Sequence, residues 1–78
     1  MPKSRHSVRY KQLLQALRGA RHDAGMTQVQ AAGHFHTHAS FISKVESGER
    51  RIDVVELAEF CKLYGVRLSV LLKKVGLD

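Results

Sequence analysis

A short stretch of the chain places small, polar and basic side chains at helical spacing, and such side chains can read the edges of base pairs. The stretch is residues 27–46, TQVQAAGHFHTHASFISKVE. A methyl group, two hydroxyls and an ammonium group share the expected outward side of its second half, on Ala39, Ser40, Ser43 and Lys44. A helix with this surface can enter the DNA major groove, which is about 12 Å wide, with little desolvation. The predicted chemistry is hydrogen bonding and methyl contact with DNA.

Two short helices joined by a turn must position those side chains. Thr27 and Gln30 have the spacing of a capping box, in which each side chain accepts a hydrogen bond from the backbone N–H of the other residue. Val29 and Ala32, with Ala31 as a further candidate, form a narrow apolar stripe after it. The small alanines allow a second helix to cross closely.

The second helix is indicated by the return of apolar periodicity after residues 34–38. Phe41, Ile42 and Val45 follow at i, i+1 and i+4. This helix is expected to bury Ile42 and Val45 and to expose the small, polar and basic residues described above.

A helix is also predicted before this pair, over residues 7–24. Its apolar side chains recur at helical spacing, at Tyr10, Leu13, Leu14, Leu17 and Ala20. Gly25 supplies a left-handed stop. Residues 1–6 carry charge and a proline without periodicity, and we interpret them as a flexible basic arm before a single domain over residues 7–78.

Two further helices are predicted after the pair. Asp53 and Glu56 form a second capping box, and Gly65 ends the helix that it opens. The apolar positions of that helix are Val55, Leu57, Ala58, Cys61 and Tyr64. A last helix over residues 67–74 contains Leu68, Val70, Leu71 and Leu72, followed by Val75 and Leu77. This is more apolar surface than so small a bundle needs.

Composition limits both the fold and the class of partner. Seventy-eight residues suffice for one small domain. Thirteen lysines and arginines against seven acids give a formal charge of +6, and such a balance suits a polyanion. The basic residues that precede the first acid, Asp23, are Lys3, Arg5, Arg9, Lys11, Arg18 and Arg21. With one cysteine, and with no secretory leader or membrane span visible, we expect a cytoplasmic protein without an intramolecular disulfide.

Several segments, taken in order, resemble the phage-repressor or Xre-type family of helix-turn-helix proteins. The resemblance covers residues 13–72. Its matched elements are Gly25-Met26-Thr27-Gln28, Ala31-Ala32, Ile42-Ser43-Lys44-Val45-Glu46, Ser47-Gly48-Glu49-Arg50 and Leu63-Tyr64-Gly65-Val66. It implies an all-α, compact five-helix lambda-repressor-like domain with the helix-turn-helix at helices 2 and 3. It also implies a sequence-specific transcriptional regulator, preferentially a repressor, that binds double-stranded DNA.

The resemblance implies DNA-contacting roles for particular residues. Base edges are expected to face His38, Ala39, Ser40 and Lys44. Ala39 suits a thymine methyl and Lys44 can donate to guanine O6 or N7, with a phosphate contact as the alternative for Lys44. Phosphates are expected to meet Gln28, Thr27, Ser43, Ser47, Arg50 and Arg51. For Gln28 the alternative is a solvated residue in the first helical turn.

The resemblance also implies one internal ion pair and a homodimer. Arg21 and Glu46 match a pair that joins the first helix to the end of the third in relatives, and we interpret the pair as architecture rather than binding. Repressors of this kind pair two half-sites one helical turn apart. The predicted dimer interface is Val70, Leu71, Lys74, Val75 and Leu77. The alternative is that Leu68, Leu71 and Leu72 only close the core of the monomer.

Three histidines alternate through the predicted turn, at His34, His36 and His38. Neutral imidazoles bind zinc, copper or nickel, but this spacing resembles no common structural zinc pattern, and we expect neither a metal nor a cofactor. Relatives place glycine at position 36 and a serine or threonine cap at position 38, and Thr37 is the alternative cap here. Histidines near phosphate would gain protons, which would strengthen DNA binding below about pH 6.5.

Two other functions compete with a regulator. An enzyme is not expected, because the chain has no Gly-rich phosphate loop, no paired carboxylates in a plausible cleft and no evident histidine partner for Cys61, which is expected to be buried. The stronger alternative is an antitoxin-like or other protein-interaction module whose apolar C-terminal segment docks another protein. Tight, salt-sensitive binding to duplex DNA would distinguish the regulator.

Overall fold

The computed structural model describes residues 7–78, in which five α-helices and no strands are present. The helices are α1 (Val8–Asp23), α2 (Gln28–His34), α3 (Ala39–Ser47), α4 (Val54–Tyr64) and α5 (Leu68–Lys74). The predicted all-α, five-helix architecture is confirmed, with α2 and α3 as the helix-turn-helix pair. The predicted basic arm, residues 1–6, lies outside the described residues.

Both predicted capping boxes are present and fix the starts of α2 and α4. The backbone N–H of Gln30 donates to Thr27 Oγ1 at 3.1 Å, and that of Thr27 donates to Gln30 Oε1 at 2.9 Å. The backbone N–H of Glu56 donates to Asp53 Oδ1 at 2.7 Å, and that of Asp53 donates to Glu56 Oε1 at 3.1 Å. Each box satisfies N–H groups that the first turn of a helix otherwise leaves without partners.

Four of the helices in residues 7–78 end in the same hydrogen-bonded turn. In each, the N–H of a left-handed residue donates to the carbonyl three residues back, and the next N–H donates to the carbonyl five residues before it. Glycine takes the left-handed position after α1, α4 and α5, at Gly25, Gly65 and Gly76. After α2 the same position is held by His36.

The core forms where α1 packs against α3, α4 and α5, while α2 packs against α3. Phe60 on α4 is 2% exposed and contacts Phe35 and Tyr64, with ring centroids 4.7 and 5.9 Å away. Aromatic pairs at these distances add about 0.5–1.5 kcal/mol beyond the burial of their area. Phe60 and the buried Ile52 were absent from the apolar positions that periodicity indicated.

Burial agrees with the predicted faces of α1 and α3 and differs on α2 and α4. Tyr10, Leu13, Leu14 and Leu17 are buried as predicted, Ala20 is half-buried, and Ile42 and Val45 are fully buried. The apolar stripe of α2 is Ala31 and Ala32, and the assignment of Val29 to it is wrong, because Val29 is 70% exposed. Val29 lies two residues before Ala31, about 200° around the helix. On α4, Val55 and Ala58 are likewise exposed, whereas Leu57, Cys61 and Tyr64 are buried.

The C-terminal helix corrects one residue of the predicted dimer interface. Leu71 has no exposed surface, because it packs into the core of the monomer, so it cannot contact a second copy. Val75 is half-buried against the same core. Val70 and Leu77 keep 45% and 42% of their surface exposed. Within residues 7–78, no helix has both the length and the apolar character needed to cross a membrane.

Candidate nucleic-acid interface

The turn between α2 and α3 contains a histidine in a strained backbone conformation. His36 has a φ of 53°, and no other non-glycine residue among residues 7–78 has a positive φ. Its N–H donates to the Gly33 carbonyl at 3.2 Å, and the Thr37 N–H donates to the Ala32 carbonyl at 3.0 Å. The left-handed conformation costs an L-residue about 1–2 kcal/mol. The turn therefore has the same two hydrogen bonds as the glycine-containing turns after α1, α4 and α5, and the histidine adds strain.

The third helix begins at His38 without a side-chain cap. His38 is the N-cap residue, with extended backbone, and its imidazole makes no capping hydrogen bond. The alternative that Thr37 caps this helix is wrong, because Thr37 precedes the N-cap position. The first turn of α3 therefore lacks the acceptor that Thr27 gives to α2.

The outward side of α3 carries predicted base-contacting residues and Ser43, which is predicted to meet a phosphate. Ser40, Ser43 and Lys44 are exposed and stand at i, i+3 and i+4, so they share one face of the helix. His38 is also exposed, just before that face. Ala39 is half-buried and borders an open depression that Thr27, Gln28 and Val29 also line. The start of α3 therefore lies beside the start of α2.

The predicted ion pair, Arg21–Glu46, is present and joins α1 to the end of α3. Arg21 Nε donates to Glu46 Oε2 at 2.6 Å, and Arg21 Nη2 donates to Glu46 Oε1 at 3.1 Å. The two side chains are 6% and 7% exposed. Arg21 Nη1 also donates to the Met26 carbonyl at 2.8 Å, which ties the loop before α2 to the pair. The hydrogen bond to Glu46 raises the pKa of Arg21 above its already high ordinary value, so the guanidinium stays charged.

Gln28 joins this network instead of standing free in the first turn of α2. Its Nε2 donates to Glu46 Oε1 at 3.1 Å, and the side chain is half-buried. Thr27, one residue earlier, is exposed, and its Oγ1 serves as the α2 cap. The alternative of a merely solvated Gln28 is therefore wrong, while both residues keep a donor with which to reach a phosphate.

Two of the predicted phosphate-contacting residues, Ser47 at the end of α3 and Arg50 in the turn after it, have different surroundings. Ser47 is exposed, and its hydroxyl donates to the Lys44 carbonyl at 3.2 Å. The Arg50 guanidinium has two partners. It lies 4.7 Å from the Phe41 ring centroid, and its Nη2 pairs with Glu56 Oε2 at 2.9 Å. The hydrogen bond from Arg50 lowers the pKa of Glu56, so this carboxyl group stays ionised. Arg50 therefore already has a carboxylate partner, and it is also one of the residues predicted to contact a phosphate.

Other basic side chains lie near the end of α3. The Arg51 guanidinium stacks on the Tyr10 ring at 4.8 Å, and the Tyr10 hydroxyl accepts a hydrogen bond from the Ile52 N–H at 3.2 Å. Lys11 and Arg18 on α1 border a shallow depression that Ser47 also lines. The only sequence signal for these two α1 residues was the basic excess before Asp23. They become candidates for phosphate contact because the fold places α1 beside α3.

The titratable side chains of residues 7–78 include no group of three His, Cys, Asp or Glu residues that could hold a metal ion. Cys61 is buried as predicted, and burial raises the pKa of its thiol. Burial, with a smaller contribution from the charge of Glu46, raises the pKa of Tyr64 to about 12. The Tyr64 hydroxyl has no hydrogen-bond partner among the described residues.

One cleft is lined by two carboxylates, Glu56 and Glu59. It has a volume of about 310 Å³ and is lined by Phe35, Thr37, Phe41, Val55, Glu56, Glu59 and Phe60. Glu56 is held ionised by Arg50 and by its capping role. This carboxylate is therefore unsuited to act as the proton donor of a carboxylate pair, which needs one member to stay protonated.

Comparison with known proteins agrees with this geometry. Residues 12–71 match the family described as the helix-turn-helix domain. Among solved structures, the chain is similar to an XRE-family like protein from Pseudomonas syringae pv. tomato str. DC3000, at 42% sequence identity and a TM-score of 0.84. That likeness covers 91% of this chain and 87% of the other. Comparison with curated proteins gives no significant match.

Proposed function

The chain belongs to the XRE-type helix-turn-helix family of DNA-binding regulators, and from that premise we propose that it binds an inverted-repeat operator as a dimer and represses transcription. The observation that carries the proposal is the division of α3 into two sides. Ile42 and Val45 have no exposed surface, whereas Ser40, Ser43 and Lys44 are all exposed on the other side. A helix held in this way can present donors and acceptors to a groove without reorganising.

The proposed base contacts follow from the chemistry of that exposed side. The Lys44 ammonium would donate to guanine O6 or N7, and the Ala39 methyl would meet a thymine methyl. Ser40 and His38 would lie at the same groove edge, where a hydroxyl accepts or donates and so selects weakly. Lys44 is therefore the residue in this set that discriminates most between base pairs.

The proposed phosphate contacts surround that set. Thr27 and Gln28 at the start of α2 would meet one strand, aided by the positive end of the helix dipole. Ser43, Ser47 and Arg51 would meet the backbone near the end of α3, where Lys11 and Arg18 of α1 add positive charge. Arg50 belongs to the same proposed set, and its guanidinium would have to share a phosphate contact with its surface ion pair to Glu56.

A dimer is proposed because one recognition helix reads only about half of a typical site. The exposed apolar side chains near the C-terminus, Val70 and Leu77, together with Lys74 and the half-buried Val75, are the proposed contact between copies. The two copies of α3 would then enter successive major grooves about 34 Å apart. A dimer bound across a promoter would repress by covering it.

The test is selection from a library of random duplexes with the purified protein at about 150 mM ionic strength, near physiological. We expect enrichment of an inverted repeat whose half-site centres lie about 10 bp apart. A single unrepeated half-site would contradict the dimer and leave sequence-specific binding intact. Enrichment of no sequence, with only weak salt-sensitive binding, would contradict the proposal and favour the protein-interaction alternative.

A further inference from the structure

The contact between Gln28 and Glu46 links the buried ion pair to the protein surface. Glu46 Oε1 accepts both from Arg21 Nη2 and from Gln28 Nε2, each at 3.1 Å. Arg21 belongs to α1, Gln28 to the first turn of α2 and Glu46 to the last turns of α3. The carboxylate of this α3 residue therefore binds side chains of the other two helices, α1 and α2, that form the proposed DNA surface.

The chemistry of these partners determines which way the Gln28 amide faces. An ionised carboxylate only accepts hydrogen bonds, so the NH2 group of Gln28, and not its oxygen, must point towards Glu46. That NH2 group has two hydrogens, and Glu46 uses one of them. The second is directed away from Glu46 by the planar geometry of the amide.

A DNA phosphate is also an acceptor, so the orientation of this second hydrogen matters for binding. If the amide were turned over, its carbonyl oxygen would face the phosphate and repel it. The Arg21 guanidinium is equally necessary, because it neutralises a carboxylate that would otherwise repel the same phosphate. The ion pair therefore supplies an acceptor for Gln28 without adding net negative charge beside DNA.

We propose that Glu46 is a positioning residue for DNA binding, which orients the Gln28 amide so that it donates to a backbone phosphate. The inference rests on the proposed function, since it concerns how the same surface holds DNA. It changes the interpretation of the Arg21–Glu46 pair, which is then part of the binding apparatus as well as of the architecture.

The test uses the selected operator duplex with one phosphate at a time replaced by a neutral methylphosphonate. The parent protein should lose affinity at several phosphates in each half-site, and one of these should be the phosphate that Gln28 contacts, where the loss is about tenfold, as expected for a lost hydrogen bond to a charged group. Gln28→Ala should bind the unmodified duplex about tenfold more weakly and be insensitive at that phosphate. Gln12→Ala, which changes an exposed glutamine on α1, is the matched control and should behave as the parent.

Glu46→Gln is the variant that decides the role of Glu46. A carboxamide has nearly the same shape as a carboxylate but can donate, so it allows the Gln28 amide to turn over. This variant should lose the same phosphate sensitivity as Gln28→Ala, and the double variant should lose no more. Parent-like sensitivity in Glu46→Gln, or losses that multiply in the double variant, would overturn the proposal.

A second measurement is needed because removal of the buried charge can prevent folding. In the NMR spectrum of the free parent protein, one of the two Gln28 side-chain N–H protons should be shifted and protected relative to those of Gln12. The other should shift only on binding the unmodified duplex, and not the duplex that is neutral at that phosphate. Gln28 protons that match those of Gln12 in the free protein would overturn the orienting role, and this readout needs no DNA. If the free protein shows the shifted proton but no duplex is selected, the proposed function fails, and the phosphate contact with it.

Discussion

The two ends of the recognition helix α3 are held very differently. Its C-terminal end is fixed by the Arg21–Glu46 pair, by the Gln28 amide and by Gly48, which ends the helix in the left-handed conformation. Its N-terminal end follows the strained His36 and begins at His38 without a side-chain cap. The starts of α2 and α4 have full capping boxes, whereas α3 and α5 begin without a side-chain cap.

The difference indicates a division of labour along one helix. The anchored end sets the angle of α3 against α1 and α2, since its contacts reach both helices. The other end carries three of the proposed base-contacting residues, His38, Ala39 and Ser40. Without a side-chain cap it is locally less stable than the anchored end. Binding residues are often held less tightly than the scaffold that carries them. Substitutions at the two ends of α3, and at side chains packed near them, test this difference.

Removal of one partner of the ion pair should have the largest effect. Glu46→Ala leaves the buried Arg21 without its carboxylate, and we expect the free energy of unfolding to fall by about 3–5 kcal/mol. Urea unfolding followed by circular dichroism measures it. Glu49→Ala, at an exposed glutamate in the following turn, is the control and should unfold as the parent does. A Glu46→Ala protein as stable as the parent would remove the anchor from this account.

Alkaline pH should lower the free energy of unfolding through Tyr64, which is buried on α4. The pKa of its hydroxyl is raised from about 10 to about 12 by burial. Between these values the unfolded chain has lost the phenolic proton while the folded chain keeps it, so stability must fall as pH rises. A shift of this size corresponds to roughly 2–3 kcal/mol. The stability difference between the parent and Tyr64→Phe, measured by urea unfolding, should change by about this amount between pH 9 and pH 12. Parallel curves would contradict it, because ionisation of the lysines cancels in the difference.

The proposed base contact by Lys44 should be visible as a loss of discrimination. Lys44→Ala is expected to weaken binding to the selected duplex by about 1–3 kcal/mol and to relax the preference at one base pair. Fluorescence anisotropy titrations against single-base variants of the duplex measure both quantities. Lys62→Ala, at an exposed lysine on α4, is the control. Equal weakening on every sequence would instead assign Lys44 to a phosphate.

Relief of strain should stabilise the N-terminal end of α3. His36→Gly places glycine at a φ of 53°, as the chain already does after α1, and we expect a gain of about 1 kcal/mol in unfolding free energy. His34→Gly is the control, because position 34 is helical and glycine there should cost about 1 kcal/mol. If both variants lose stability, the left-handed histidine is not strained.

A cap should stabilise the same end by a similar or smaller amount. His38→Ser supplies a hydroxyl that can accept from the first turn of α3, and caps of this kind contribute about 0.5–2 kcal/mol. Thermal unfolding of His38→Ser and His38→Ala measures the contribution, since both remove the imidazole and only serine can cap. Equal melting temperatures for the two variants would show that the missing cap does not weaken this end.

What could be predicted from sequence follows from how local each signal is. The capping boxes at Thr27 and Asp53 depend on residues three apart, and both were confirmed. The burial of Val29 was predicted wrongly, and for Leu71 the sequence left both the dimer interface and the monomer core open, because α2 and α5 have only seven residues each, too few for periodicity to define a face. The family resemblance supplied the Arg21–Glu46 pair, which is 25 residues apart in sequence.

The remaining contacts depend on how elements pack together in three dimensions. Glu56 neutralises Arg50 only because the loop after α3 returns to the start of α4. Glu46 reaches Gln28 only because α2 packs against α3. Composition and periodicity in one sequence contain no signal for such pairs.

The most direct measurement of the central claim is the ratio of affinities for the selected duplex and for a shuffled duplex of the same composition. Anisotropy titrations at about 150 mM ionic strength, with the salt concentration held equal, provide both dissociation constants. We expect the selected duplex to bind at least about a thousandfold more tightly, as duplexes do with sequence-specific regulators. Equal affinities for the two duplexes would contradict it, because α3 would then contribute charge to binding and no sequence readout.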